Sequence, residues 1–377
     1  MPKEKTSILF SNYVIDGVPQ ELTPAQMLED CASVPAEIPA GSAFDAIVDE
    51  TVDPVFTNYR FEGSRVQEYL MAVMAAQKRV PLPFAEAYTR SRIATALLDT
   101  LWRSGHFKIG DIELKAAWEW NTSAVGSAAA FYASVHAAAD YLDSLDLRLR
   151  SFSVRETRRD SQLTLTPSLS AVGGQDDFIE YPNRTYRPRM AADSACDSQI
   201  DADPQSWLVY IPFETADYRL GGSLLAQTLG LGGGVATQIQ DADYFLDCFE
   251  VVRELVEDGV VVAGVTVGEG GLLPAVKRMT GGRVGVQMDV SDVLRAYQED
   301  QLVRVLFAEV PGVVIQIRDI DFDYLDAELL LQDVAFFPLG HPVTGGTNSV
   351  RVKASSKTGI QTILESLIRN QGGEGED

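Results

Sequence analysis

Apolar residues in this chain recur at two spacings, and the sharpest change of period falls between Gly259 and Met279, GVVVAGVTVGEGGLLPAVKRM. Val260, Val261, Val262, Val265 and Val267 form a β-branched run, too short for a helix core and suited to an interior strand. Gly268, Gly270 and Gly271 then allow a tight turn, and Leu272, Leu273 and Val276 open a helical apolar face. A glycine turn that feeds a helix N-terminus presents free N–H groups to an anion. The polar side chains at this turn are Thr266 and Glu269, with no His, Asp or Lys beside them.

Upstream, prolines at 19, 24, 35, 39 and 54 break any long period, so residues 1–60 read as short elements or an extended arm. Ser64 to Lys78 fits a strand or a short helix. Ile93, Leu97, Leu98 and Leu101 set a helical period within Phe84 to Trp102. A strand follows at Ile112 to Trp118, where Trp118 and Trp120 fall on one side and point to a core or an interface. An alanine-rich helix spans Ser123 to Leu145. Alternation then predicts strands at Leu147 to Val154 and Gln162 to Val172, ahead of a Gly-, Pro- and Asp-rich surface connection over 173–205. Strand Trp207 to Phe213 leads into Leu220-Gly221-Gly222-Ser223 and a short helix. The glycine-rich Gly230 to Gly234 loop precedes a helix over Asp241 to Asp258 that buries Phe245, Phe249, Val252 and Val256. Beyond the glycine turn come strands at Val284 to Val290, Leu302 to Phe307, Val313 to Ile317 and Val334 to Pro338. Helices near Val293 and over Leu325 to Leu331 separate them, and an acidic, glycine-rich tail begins at Gly372.

Length and composition narrow the class. At 377 residues, 46% hydrophobic and 23% charged, the chain suits two globular domains. A net charge of −23 argues against nucleic acid or an anionic membrane as partner. Cys31, Cys196 and Cys248 are scattered and lack a C-x-x-C, so they indicate neither disulfides nor a zinc site. No apolar run approaches membrane length, and the cytoplasm is the expected compartment.

Several stretches, in order, resemble the second synthetase-like half of formylglycinamide ribonucleotide amidotransferase (phosphoribosylformylglycinamidine synthase), an enzyme of purine biosynthesis. Arg92-Ile93-Ala94 through Trp102 is similar to the family's S-R-x-A-x-x-E-A-L-T-N-L helix, and Leu114 to Trp120 to its L-S-A-N-W-M-W strand. Leu220 to Gln227 matches L-G-G-S-x-x-A-Q. Leu306-Phe307 with Glu309, Pro311 and Gly312 to Ile317 resembles L-F-S-E-x-P-G-V-V-I-Q-V, and Gly340-His341-Pro342-Val343 agrees with G-H-P-V. The resemblance covers Arg90 to Val343. It implies an α/β (α+β) two-domain fold of the aminoimidazole-ribonucleotide-synthetase type, with N-terminal strands paired across a dimer and a C-terminal mixed sheet with helices. The implied division is an N-terminal arm or irregular segment (1–60), an N-terminal domain (61–175) and a connection (176–205). A C-terminal domain (206–355) and a C-terminal helix with an acidic tail (356–377) complete it.

The frame is kept while the family's ligands for Mg-nucleotide are replaced. Where the family reads A-G-H-D-x-S-D-G-G-L, this chain has Val265 for the His, Thr266 for the Asp, Gly268 for the Ser and Glu269 for the second Asp. Hard oxygen ligands can come from positions i and i+4 of a helix, and the family uses a Glu and an Asn; Leu97 and Leu101 stand there in this sequence. The family's G-K-D-S loop has no counterpart between Leu145 and Gln162, and its Gly-Glu-Asp becomes Gly126-Ser127-Ala128. The expected function is therefore a non-catalytic structural or regulatory homologue with no catalytic residue, metal or cofactor, acting as a homodimer or beside a related purine-pathway subunit. One alternative is an active ligase that makes an amidine from an amide with ATP and Mg. Another is a module that binds a purine-pathway metabolite.

Residues left to bind a nucleotide or phosphate are Gly221, Gly222, Ser223, Gly268, Glu269 and Gly270. Against that stands the ordinary use of such glycines as packing turns. Arg148, Arg150, Arg155, Arg158 and Arg159 could grip a phosphorylated ligand, but a charged, solvated strand edge explains them more simply. His106, His136 and His341 have no nucleophile at catalytic spacing, and Cys248 reads as a small core residue.

Overall fold

The computed structural model describes residues 7–33, 46–55, 59–169, 194–343 and 349–354. Its N-terminal part supplies β1 (Asn12–Ile15), β2 (Val18–Pro19), α1 (Pro24–Asp30) and β3 (Ala46–Asp49), which are the short elements expected where prolines interrupt the pattern. Thr23 starts α1 with a reciprocal capping box to Gln26, and Pro24 fits the first helical turn. The undecided Ser64 to Lys78 segment is helical, α2 (Val66–Met74). Then come α3 (Ala85–Leu98), β4 (Ile112–Asn121), α4 (Ser127–Ser144), β5 (Leu149–Thr157) and β6 (Gln162–Leu169).

Strands β5, β4 and β6 form a three-stranded sheet in that order, so β5 is an edge. Trp118 and Trp120 point from β4 toward α4, where their indole N–H groups donate to Ser134 Oγ (3.0 Å) and the Ser127 carbonyl (2.7 Å). Both are core residues. The basic cluster is a charged edge as the simpler account holds, with Arg150 paired to Glu113 and Arg155 to Glu119 across to β4.

The second half begins with β7 (Trp207–Pro212), α5 (Leu224–Thr228), α6 (Ala242–Glu257), β8 (Val261–Val267) and α7 (Leu272–Met279). It continues with β9 (Gly285–Asp289), α8 (Ser291–Ala296), α9 (Leu302–Phe307), β10 (Gly312–Ile317), α10 (Phe322–Leu331), β11 (Phe337–Val343) and β12 (Val350–Lys353). Six strands in the order β12-β9-β11-β7-β10-β8 make one sheet, mixed because only β12 pairs in parallel. Two expectations fail. Leu302–Phe307 is a helix, since a short apolar run buried on nearly every side gives no period to separate the two states. The last long strand starts at Phe337 rather than Val334 and runs on to Val343, which places His341 well inside it.

Alternation along β7 and β10 feeds two cores. Val209, Ile211, Val313 and Ile315 face α6 and merge with the apolar faces of α3, α4 and β4. Leu208, Tyr210 and Val314 face the other way, toward α7, α9 and α2. Helix α3 joins the two halves. Arg253 of α6, only 4% exposed, donates to the carbonyls of Leu101 (2.7 Å), Arg103 (2.9 Å) and Gly105 (2.5 Å) just past its end. Most of the expected connection lies outside the described residues, as do the expected C-terminal helix and tail. Of the connection's last part, Asp197 bonds Val262 and Gly264 through its backbone.

Candidate functional site

Two glycine turns meet beside α3, and the sequence-predicted residues divide between them. At the first, Ser223 caps α5, accepting from Ala226 N at 3.3 Å and donating to the Leu220 carbonyl at 2.8 Å. At the second, Gly268, Glu269 and Gly270 link β8 to α7. Glu309, just after α9, ties the turns together: its Oε1 accepts the Leu224 N–H at 2.7 Å and the Gly270 N–H at 2.9 Å. Burial pushes the Glu309 carboxyl up to about 7, against the pull of those two N–H groups.

Packing explains the glycines. A Cβ on Gly221 would lie 2.5 Å from the Val235 backbone, and one on Gly268 would lie 2.6 Å from Thr95 Oγ1. Gly222 (φ +73°) and Gly270 (φ +85°) adopt left-handed conformations, with Phe84 and Val73 close by. The cavity beside Gly221, Gly222 and Ser223 holds about 30 Å³, room for a water but not a nucleotide. Two larger open clefts, about 780 and 670 Å³, share Arg219, Thr215 and Asp217 in their walls.

Glu269 is engaged as well. Its buried carboxylate accepts from Lys78 Nζ at 2.5 Å, Arg92 Nη1 at 2.9 Å and the Tyr88 hydroxyl at 3.1 Å. Burial first, then Glu269, raises the Tyr88 pKa. Arg278 of α7 and Asp99 just past α3 complete the cluster of three cations and two carboxylates. Asp99 opens to solvent on one side, yet the protein around its carboxylate raises its pKa; Thr266, Arg92, Arg278 and Lys78 act in the opposite direction. Desolvation lowers the Arg278 pKa, countered by Asp99 and Glu269. Thr266 accepts from Trp102 Nε1 at 3.0 Å.

Leu97 and Leu101 are both 0% exposed and belong to the core around α3 and α4. Neither meets the glycine turn through a polar atom. Among the described residues, no group of three or more His, Cys, Asp or Glu side chains is placed to hold a metal ion. His106 meets Glu257 at 3.0 Å on the surface, His136 is exposed on α4, and His341 packs against Trp207. Buried Cys248 is pushed up to about 12 by desolvation, as befits a core thiol. Sequence reasoning missed Lys78, Tyr88, Asp99 and Arg278, which no motif marks. It had Arg92 and Glu309 inside quoted motifs without seeing that they meet the two turns.

Among known proteins, no protein-family model matches the chain. Solved structures do. PurL of T. maritima complexed with FGAR superposes with a TM-score of 0.54 at 13% identity, over 77% of this chain and 51% of that one. PurLQS from Thermotoga maritima gives 0.50 at 13% identity, over 78% and 47%. This chain thus spans about half the length of these structures. The shared property is the fold: mixed α/β, of the aminoimidazole-ribonucleotide-synthetase type, as the motif resemblance implied. No helix of the described residues is long and apolar enough to cross a membrane.

Proposed function

We propose that this chain is a non-catalytic structural or regulatory relative of the second half of phosphoribosylformylglycinamidine synthase, with the frame of a Mg-nucleotide site but not its ligands. One observation carries the proposal: the anion-binding groups of the two turns are already used by the protein's own carboxylates. Glu309 takes the N–H groups of Leu224 and Gly270, and Glu269 takes Lys78 and Arg92. A phosphate arriving here would have to displace both carboxylates and desolvate next to them, a repulsive exchange. Leu97 and Leu101, at the positions of the family's oxygen ligands, add two core leucines where a metal would need donors.

On this account the protein works in the cytoplasm without a cofactor, as a homodimer or with a related purine-pathway subunit. Of the two edges of the β5-β4-β6 sheet, β6, away from the charged β5 edge, suits strand pairing with such a partner. The metabolite-binding alternative is favoured by one feature, the clefts that meet at Arg219. The ligase alternative needs ATP and Mg at the glycine turns. Phosphate release from Mg-ATP in the presence of FGAR and ammonia should stay at the buffer background. Mg-dependent release that disappears in Glu269→Ala would overturn the proposal in favour of a ligase.

A further inference from the structure

Two stripes of opposite character run side by side on one surface of the C-terminal half. The first is apolar. Helix α10 buries Leu325 and Leu329 in the core, both 0% exposed. On its far side, starting in the 3₁₀ turn before it, stand Ile320 (84% exposed), Tyr324 (44%), Ala327 and Leu331 (77%). Steps of four, three and four put them in one row, the spacing on which a second helix packs.

The second stripe is acidic. Asp243, Asp247, Glu250, Glu254 and Glu257 recur along α6 at steps of four, three, four and three, so they share a face. The helix's one basic residue, Arg253, is turned into the core, as described above.

Helices α6 and α10 are antiparallel neighbours. The Tyr324 hydroxyl, near the start of α10, donates to Asp258 just after the end of α6 at 3.4 Å. The Ala335 N–H, beyond the end of α10, donates to the Tyr244 hydroxyl at the start of α6 at 3.1 Å. Between these ties the acids of the two helices meet. Partial desolvation first, then the charges of Glu250, Asp258, Glu328 and Glu257, raise the Glu254 pKa. Exposed Asp323 and Asp326 border the apolar row on its other side. From Asp319 to Ala335 the chain has six acidic residues and no Lys, Arg or His, so nothing in this stretch offsets the charge.

An apolar row of this kind on a helix surface marks an interaction site, and its borders select the occupant. A second copy is disfavoured, because a two-fold pairing of this face would set the same acids against each other. An anionic membrane is disfavoured for the same reason. We propose that the outer face of α10, with the neighbouring face of α6, docks an amphipathic helix of a partner protein whose apolar stripe is bordered by Lys or Arg. The partner's apolar side chains pack on Ile320, Tyr324, Ala327 and Leu331, and its cations meet Glu250 and Glu254 on one side and Asp323 and Asp326 on the other. The proposal holds whether or not the glycine turns bind nucleotide.

The test is calorimetric titration of the full-length protein, at physiological ionic strength, with a synthetic Leu/Lys peptide carrying Leu at helical steps of three and four. Its Leu/Glu counterpart is the control. The Leu/Lys peptide should saturate at one per chain and the Leu/Glu peptide should not bind. Ile320→Ser/Leu331→Ser, both at exposed positions, should weaken binding at least about tenfold. Glu250→Gln/Glu254→Gln should weaken it about threefold, while Glu62→Gln/Glu68→Gln, beside α2 on the opposite face of the six-stranded sheet, should leave it unchanged. Absence of saturable binding, equal binding of the Leu/Glu peptide, or unchanged affinity in Ile320→Ser/Leu331→Ser would overturn the proposal. An equal loss in the Glu62→Gln/Glu68→Gln control would overturn it too, since attraction would then come from net charge alone. So would a sedimenting dimer that dissociates only in Ile320→Ser/Leu331→Ser, because the cover would be a second copy.

Discussion

Glu309 carries a carboxyl whose charge the fold disfavours. Its half-buried carboxyl rises from 4.5 to about 7 because desolvation outweighs two backbone N–H bonds. The folded protein therefore holds this proton more tightly than the unfolded chain. The resulting stability is fully present below pH 4.5, declines as pH rises, and is gone above about 7. The difference between those pKa values corresponds to about 3 kcal/mol. Gln at 309 keeps an Oε1 acceptor for Leu224 and Gly270 but cannot ionise. Denaturation curves from pH 5 to 8 should show Glu309→Gln gaining on the wild type as pH rises. A constant difference between the two proteins would show that Glu309 does not titrate in this window. No periodicity could reveal this role, because it depends on α5 and α7 beginning beside one acid.

At the scale of elements, α3 decides how the glycine turns are used. Its Arg92 and the Asp99 beyond it reach the charged cluster, while Leu97 and Leu98 face the core with 0% exposure. A carboxylate placed at position 97 tests this. Leu97→Glu would bury a carboxylate among Phe131, Val135 and other apolar neighbours, and should cost more than about 4 kcal/mol in denaturant unfolding. A cost below about 1 kcal/mol would mean that position 97 reaches solvent or a partner. Much of this element level was legible in advance. The run from Val260 to Met279 announces strand, turn and helix because β-branching, three glycines and a new apolar period follow in sequence. The packing role of Gly221 and Gly222 was half legible: glycine marks a tight turn, but Val235 and Phe84 as the reasons for it come from distant segments. Lys78 and Arg278 carried no signal, since a lone basic residue gives no sign of which carboxylate it will meet.

Across the whole molecule, the two cores lean on the two faces of one six-stranded sheet, and α3 bridges the first core to the charged cluster. The fold is shared with PurL of T. maritima, and here the N–H groups and cations of the glycine turns bond to Glu309 and Glu269. On the function proposed above, internal carboxylates occupy the donors that nucleotide phosphates would use. A thermal-unfolding titration of the wild-type protein with Mg-ADP tests it most directly. A ligand at 100 times its Kd adds about 2.7 kcal/mol and would raise Tm by roughly 2–4 °C for a chain of this size. The account predicts no change beyond about 1 °C up to millimolar Mg-ADP, while a saturating rise of several degrees at sub-millimolar nucleotide would contradict it.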